Sequence, residues 1–418
     1  MRKFNLFLIA LLFGGAMSAL GNGYQVTLKS ARTTAMGNTG TGLAYDASAI
    51  FFNPGALGFN TQNNIALGAS FISADINYIG AGTSNYIANN ESNLSTPFYL
   101  FGSYGITDKL TAGLGIFTPF GSTVGWEDNW TGEVALDELS LAAFFVQPTL
   151  SYKINDQLSI GAGLDIVFGS VNLQRALPFA DQNGNLLRTE LDGSTEIGFG
   201  FNVGIFYMPN DKLSIGASYK SKVDATIEGG DATFVTTPQL AAAGLVPAST
   251  TFDATLPLVA NLSIGTSFYP TEKLTISAQF DFVEWSAYEE LRFDWGAPVG
   301  GEMASVSARN YENSFALRIG GEYMATDNLA LRLGFYYDGS PVPDGYMTPE
   351  TPDSDTTAPT IGIGYKFGNF SIDAYGLLIM RPDRYNEGRE DAGNISGTYQ
   401  ARTPVFGFGL TYDFSKSE

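Results

Sequence analysis

Side chains of alternating character dominate this sequence. From position 158, Leu158, Ile160, Ala162, Leu164, Ile166 and Phe168 fall on one face of an extended chain, and Ser159, Gly161, Gly163, Asp165 and Gly169 on the other. Leu274, Ile276, Ala278, Phe280 and Phe282 likewise oppose Thr275, Ser277, Gln279 and Asp281. The pattern returns with Leu329, Leu331, Leu333, Phe335 and Tyr337 against Ala330, Arg332, Gly334 and Asp338. It closes the chain with Phe406, Phe408, Leu410, Tyr412 and Phe414 against Gly407, Gly409, Thr411 and Asp413. A strand of about ten residues with one apolar and one small or polar face suits lipid on the outside and a lumen on the inside. A soluble sandwich or lipocalin-like barrel would turn the apolar face inward.

Short turns set the spacing. Six times an aromatic residue precedes a polar turn from which an alternating strand departs: Tyr104 before Asp108, Tyr152 before Asp156, Tyr207 before Asp211, Tyr269 before Glu272, Tyr323 before Asp327 and Tyr365 before Asn369. Asn, Asp and Gly suit tight hairpins, and tyrosines beside the turns are expected to form an interfacial girdle. Six hairpins supply twelve strands. A first strand near residues 65–78 and a last near 402–414 make fourteen, an even number as bacterial barrels require. The expected fold is therefore all-β: a transmembrane antiparallel β-barrel occupying residues 63–418.

The N-terminus is a different kind of sequence. Basic Arg2 and Lys3 precede an apolar run from Phe4 to Phe13 and then small residues, the layout of a secretory signal peptide. Its expected extent is 1–21, with cleavage after Ser18 or after Gly21. No later segment approaches the ~20 apolar residues of a membrane-spanning helix. Residues 22–62 are rich in Gly, Ala and Asn without strand alternation. Too short for a core of their own, they are expected to form a plug, or hatch, inside the lumen, approached by glycines of the wall.

Composition removes several functions. The chain has no cysteine and no histidine. Thiolate and imidazole metal sites, Cys nucleophiles and Ser-His-Asp catalysis are thereby excluded, and no cofactor, metal or enzymatic activity is expected. The formal charge of −20 becomes −22 once Arg2 and Lys3 leave, which argues against a nucleic-acid partner.

Five segments resemble the FadL-type outer-membrane transporters of long-chain fatty acids and other hydrophobic compounds. Asn22-Gly23-Tyr24-Gln25 is similar to the family's mature start, and Asn53-Pro54-Gly55 to its hatch motif. Phe117-Thr118-Pro119-Phe120-Gly121, followed by Asn129-Trp130, resembles its third-strand segment. Trp285-Ser286 with Tyr288 and Leu291 resembles its Trp-Ser strand, and Pro352-Asp353-Ser354-Asp355 a loop that in the family usually continues with Arg, where this chain has Thr356. The chain also runs past its terminal aromatic Phe414 to Glu418. The resemblance implies an outer-membrane location in a Gram-negative-type bacterium and passive transport. A hydrophobe is captured at outer loops, held near the plug, and released sideways into the membrane at a kinked third strand. It also implies that Asn53-Pro54-Gly55 turns against that strand.

The residues themselves supply candidates. Pro119 has no N–H for the ladder, so Thr118, Pro119, Phe120 and Gly121 mark either a lateral opening or the strand's outer end. Tyr24 is a candidate ligand contact. Leu177 and Phe179, and Leu240, Leu245 and Val246, sit in stretches expected to be outer loops, either as exposed capture patches or as loop-on-loop packing. Lys220, Lys222, Arg318 and Arg332 share parity with small lumen-facing residues. Each can meet a carboxylate of the ligand or a wall carboxylate among Asp165, Asp281, Glu322, Asp338 and Asp373. The expected partners are a fatty acid or hydrocarbon ligand and outer-membrane lipid, with the barrel monomeric. The rival functions are a general porin for hydrophilic solutes, an enzyme barrel and a structural barrel. A luminal plug speaks against the porin.

Overall fold

The computed structural model describes residues 23–414 apart from 61–62, 83–85, 92–93 and 182–183. The expected signal region and the residues after Phe414 lie outside the described residues. Fourteen antiparallel strands close into a barrel: β1 (Asn63–Ile72), β2 (Phe98–Gly105), β3 (Leu110–Gly125), β4 (Glu138–Lys153), β5 (Leu158–Ala180), β6 (Gly198–Asn210), β7 (Leu213–Lys220), β8 (Asn261–Thr271), β9 (Leu274–Val283), β10 (Ser314–Met324), β11 (Leu329–Asp338), β12 (Thr356–Phe367), β13 (Phe370–Met380) and β14 (Gly397–Phe414). Closure is direct, because β1 pairs with β14 from Asn63↔Phe414 to Ile72↔Val405.

All six short turns occur where the repeat placed them, and their polar residues explain why. Thr107 Oγ1 accepts from the Lys109 and Leu110 amides, Asn155 Oδ1 from Gln157 and Leu158, and Thr326 Oγ1 from Asn328 and Leu329. Each side chain thus satisfies amides that a tight turn strands. The alternating apolar sets face outward: Leu333 is 65 % and Phe406 64 % exposed, whereas Asp281 on the opposite face is 4 % exposed. That orientation is the one a bilayer rewards. Tyr104, Tyr152, Tyr207, Tyr323 and Tyr365 are exposed beside their turns. Tyr269 departs from the expected girdle. A register shift between Phe268 and Thr271 turns its hydroxyl toward the buried Ser214, 3.2 Å away.

Two strand boundaries differ from expectation. The first strand stops at Ile72 and a second, Asp75–Gly80, continues along β14. The break faces Pro404, which has no N–H to donate. Strand β5 runs on to Ala180, so Leu177 and Phe179 belong to a strand rather than a loop. With its outer neighbours Leu186–Ser194, Val223–Phe234, Ser249–Leu258 and Glu290–Val299, β5 rises into a sheet above the wall.

Residues 23–60 lie inside the barrel and follow its inner wall. The Thr360 hydroxyl of β12 donates to the Ala35 carbonyl and accepts from the Gly37 amide. Gln279 Oε1 of β9 accepts from the Gly40 and Thr41 amides, and Ser214 of β7 donates to the Gly42 carbonyl. Asn53 Nδ2 donates to Ile205 O of β6, Ser151 of β4 to Gly55 O, and Gln147 Nε2 of β4 to Ile50 O. The wall is cut away to admit this backbone: a Cβ at Gly216 would fall on the Thr41 carbonyl oxygen, and one at Gly320 on that of Met36.

Two cations on the lumen face are paired. Arg318 bridges Asp281 (2.6 Å) and Asp338 (3.0 Å), and Arg332 bridges Glu322 and Asp373 (both 2.6 Å). Glu322 also holds Arg32 of the N-terminal segment at 2.6 Å. Arg318 and Arg332 are therefore each held in structural ion pairs.

Candidate functional site

Strand β3 does not end at Pro119. It continues to Gly125, but its pairing changes there. Pairing with β2 stops at Tyr99↔Phe117, and the β4 register shifts between Phe117 and Phe120. The N-terminal segment takes the vacant side. Val26 N–H donates to Pro119 O at 2.7 Å, Gly121 N–H donates to Tyr24 O at 3.0 Å, and Gln25 faces Phe120 as an antiparallel bridge. Three luminal residues thus act as a short replacement strand on the wall, satisfying backbone groups that the interrupted ladder would leave unpaired.

Tyr24 is the centre of this arrangement. Its ring meets Trp285 edge-on at 4.9 Å, Tyr288 at 5.6 Å and Phe120 at 6.0 Å, while its hydroxyl donates to Pro257 O. Gly23, at φ 64°, lies against the Trp285 ring, and its amide donates to Asp353 Oδ2 at 3.4 Å. Burial, then the neighbouring Tyr288 phenol, holds the Tyr24 hydroxyl well above its ordinary pKa, so it remains a neutral donor. Burial also raises the Asp353 carboxyl, against the pull of Arg381. Four segments far apart in sequence, around Tyr24, Phe120, Trp285 and Asp353, therefore meet at one place.

Beside Tyr24 opens a cavity whose enclosed part is small, about 90 Å³, and which widens toward solvent. Its walls are mostly apolar: Leu139, Leu141, Val171, Leu173, Leu256 and Phe293, with Tyr24 and Tyr288. Glu350 is its charged corner, ion-paired with Arg309 at 2.5 Å. Arg175 shares the face of β5 that carries Val171 and Leu173. It feels Glu350 and Arg309 as its charged neighbours, and its Nε has no hydrogen-bond partner. Sequence reasoning missed Arg175. Its parity with Val171 and Leu173 was the available signal, hidden because the strand was taken to end before it.

The other sequence candidates are placed as follows. Leu177 and Val246 are buried in a cluster with Leu187, Phe234, Phe252 and Trp295, and Phe179 and Leu240 pack against it. The capture patch is thus the interior of the outer sheet, and of the five residues only Leu245 is exposed. Lys222 is half-exposed and pairs with the half-exposed Asp224. Lys220 stays inside, its ammonium 3.2 Å from the centre of the Phe51 ring. The Asn53-Pro54-Gly55 turn is closed by Gly55 N–H donating to Asn53 Oδ1 at 3.0 Å. It rests on Gly161 of β5 and Gly204 of β6 rather than on β3, which instead meets Ile50 and Leu57 at Gly113. The turn thus lies two to three strands along the wall from β3, whose register shift faces residues 24–26 instead.

A family model described as "Outer membrane protein transport protein (OMPP1/FadL/TodX)" matches residues 12–414. The chain belongs to this family. It is 25 % identical to outer membrane protein P1 of Haemophilus influenzae, covering 99 % of this chain and all of that protein. It is 22 % identical to the long-chain fatty acid transport protein of Escherichia coli O6:H1, over 97 % of each. The solved Pseudomonas aeruginosa FadL homologue superposes with a TM-score of 0.81 at 23 % identity, covering 94 % of this chain and all of that one. The toluene transporter TodX of Pseudomonas putida gives 0.72 at 17 %, covering 96 % and 100 %. These likenesses establish the fold. The family consists of outer-membrane transport channels, not enzymes, and this FadL-family member is an outer-membrane β-barrel. Its departure at Thr356 has a local answer: Arg381 of the following hairpin donates to the Thr356 hydroxyl at 3.1 Å and pairs with Asp353 at 3.6 Å.

Proposed function

We propose that the protein carries a long-chain fatty acid or similar hydrophobic molecule passively across the outer membrane and releases it sideways through the wall at Thr118–Gly121. In this reading residues 1–21 are an export signal, 22–62 a hatch and 63–418 the barrel, working as a monomer. The observation that carries the reading is the double role of Tyr24. Its ring forms part of the apolar cavity, and its carbonyl holds Gly121 at the interruption in β3. A ligand filling the cavity presses on the residue that closes the breach. Differential affinity for the displaced state then shifts the population toward it.

The cavity suits a ligand with a long apolar body and one anionic end. Arg309 pairs with Glu350 and Arg175 lies within electrostatic reach of both, so the corner carries one uncompensated positive charge, which a carboxylate neutralises. The test is flux of a fluorescent long-chain fatty acid into liposomes containing the purified barrel, alongside ion conductance in planar bilayers. Saturable flux with low conductance is expected. A large steady conductance without fatty-acid flux would instead establish a water-filled porin.

A further inference from the structure

Among the described residues, Lys29 is a buried amine without a carboxylate partner. It is 0 % exposed. Its ammonium donates to Thr118 O at 2.7 Å, and among the described residues it forms no ion pair. One acceptor leaves two of its three N–H groups without a partner. The charged group that acts on it is another cation, Lys220. Lys220 rests on the face of Phe51, which packs against Phe117 at 5.2 Å, one residue before Thr118. Asp165 is the carboxylate that most influences Lys220, yet no ion pair joins them among the described residues. Two lysine amines thus lie near the interruption in β3, and neither forms an ion pair among the described residues.

We infer that Lys29 is a ligand-operated latch: a carboxylate-bearing amphiphile, first captured with its head group at the Glu350 corner, passes that head group on to Lys29 and Lys220 and draws the Lys29 amine off the Thr118 carbonyl. This rests on the proposed transport function and specifies its cargo as anionic rather than neutral. The exchange is favourable on general grounds. It replaces an ammonium–carbonyl bond with an ammonium–carboxylate pair, which adds an attraction between opposite charges that a neutral carbonyl lacks. The carboxylate also supplies the counter-charge that a buried ammonium lacks.

Burial, and then the Lys220 charge, hold the Lys29 amine well below its ordinary pKa, so an arriving carboxylate also stabilises its protonated form. Losing the Thr118 bond removes one of the three ties that bind residues 24–29 to β3. The other two are the backbone bonds to Pro119 and Gly121. A neutral hydrocarbon or alcohol cannot make this exchange and has to displace the segment with Lys29 still attached.

The experiment compares a fatty acid with the fatty alcohol of the same chain length, measuring flux into liposomes for the wild-type barrel, Lys29→Met and Lys220→Met. Folding is checked by heat-modifiable migration on gels. The wild type is expected to favour the acid, and each variant to lower the acid-to-alcohol flux ratio about tenfold, as the loss of a charged hydrogen bond predicts. Lys220→Met keeps the test alive if Lys29→Met does not fold. A folded variant with the wild-type ratio overturns the latch, as does a wild type that carries both ligands equally. Absence of flux for either ligand in the wild type overturns the transport function, and the latch with it.

Discussion

Gly121 donates its backbone N–H to the carbonyl of Tyr24 at 3.0 Å, so a residue of the wall is hydrogen-bonded by a residue of the lumen. Barrel strands ordinarily satisfy their backbone groups with one another, because lipid offers no alternative partner. Here the ladder between β2 and β3 stops at Phe117, and Tyr24, Gln25 and Val26 stand in for the missing neighbour. The wall is closed at this level by a segment that is not part of it. The energetic stake is small, since each backbone hydrogen bond contributes about 1 kcal/mol net. A ligand with modest differential affinity can therefore compete with the closure.

Covalent closure should stop transport. Gln25 and Phe120 face each other across an antiparallel bridge, a geometry that brings Cα atoms within disulfide range. The chain has no native cysteine, so the double variant Gln25→Cys/Phe120→Cys forms one defined bond. Fatty-acid flux is expected to vanish in the oxidised protein and return on reduction. Equal flux in both states, with the bond verified by mass spectrometry, would show that residues 24–26 need not leave β3.

Weakening the same closure should do the opposite. Val26→Pro removes the N–H that Pro119 O accepts. Loss of about 1 kcal/mol shifts the closed-to-open ratio about fivefold. Single-channel recordings of the variant are expected to show correspondingly more frequent openings. Unaltered opening frequency would mean that the Val26 bond plays no part in gating.

The wall was far more legible in the sequence than the site. Period-two alternation is imposed by lipid on one side and a lumen on the other, and the turns carry their own side-chain acceptors, as at Asn155 and Thr326. Both signals are local, so strands such as β9 and β11 could be read directly. The site is built from contacts between distant positions. Tyr24 with Trp285, or Gly23 with Asp353, has no local signature, and these residues stood out only through the family resemblance. Parity found Arg318 and Arg332 on the lumen face together with the carboxylates Asp281, Glu322, Asp338 and Asp373, but not which pairs with which. The partners sit across the strand or one strand further, as with Arg332 and its flanking Glu322 and Asp373. Whether Leu177 and Val246 form a surface patch or pack inward is open from sequence, because the outer sheet that buries them has no local signature.

The paired lumen cations should matter for stability rather than for cargo. Arg318 lies buried between Asp281 and Asp338. Arg318→Met leaves both carboxylates without their shared counter-charge, an expected loss of about 3–5 kcal/mol. Urea unfolding in lipid vesicles should move to lower denaturant, while fatty-acid affinity in the folded fraction stays within about twofold of wild type, as expected for a site outside the ligand's contacts. A large affinity loss without a stability loss would return Arg318 to the list of ligand contacts.

The charge at the cavity corner makes a paired prediction with opposite signs. Arg175 and Arg309 carry two positive charges against the single negative charge of Glu350. Arg175→Leu balances the corner, and the affinity for a fatty acid should fall about tenfold, the scale of one charged hydrogen bond. Glu350→Gln leaves both guanidinium groups uncompensated and should raise that affinity relative to wild type. Packing disturbances from either substitution affect a fatty alcohol as much as the acid, so the quantity to read is the acid-to-alcohol affinity ratio from competitive displacement of a fluorescent probe. Charge complementarity requires the ratio to move down in the first variant and up in the second. If both variants move it the same way, the corner acts through shape, and the anionic end of the ligand is held elsewhere.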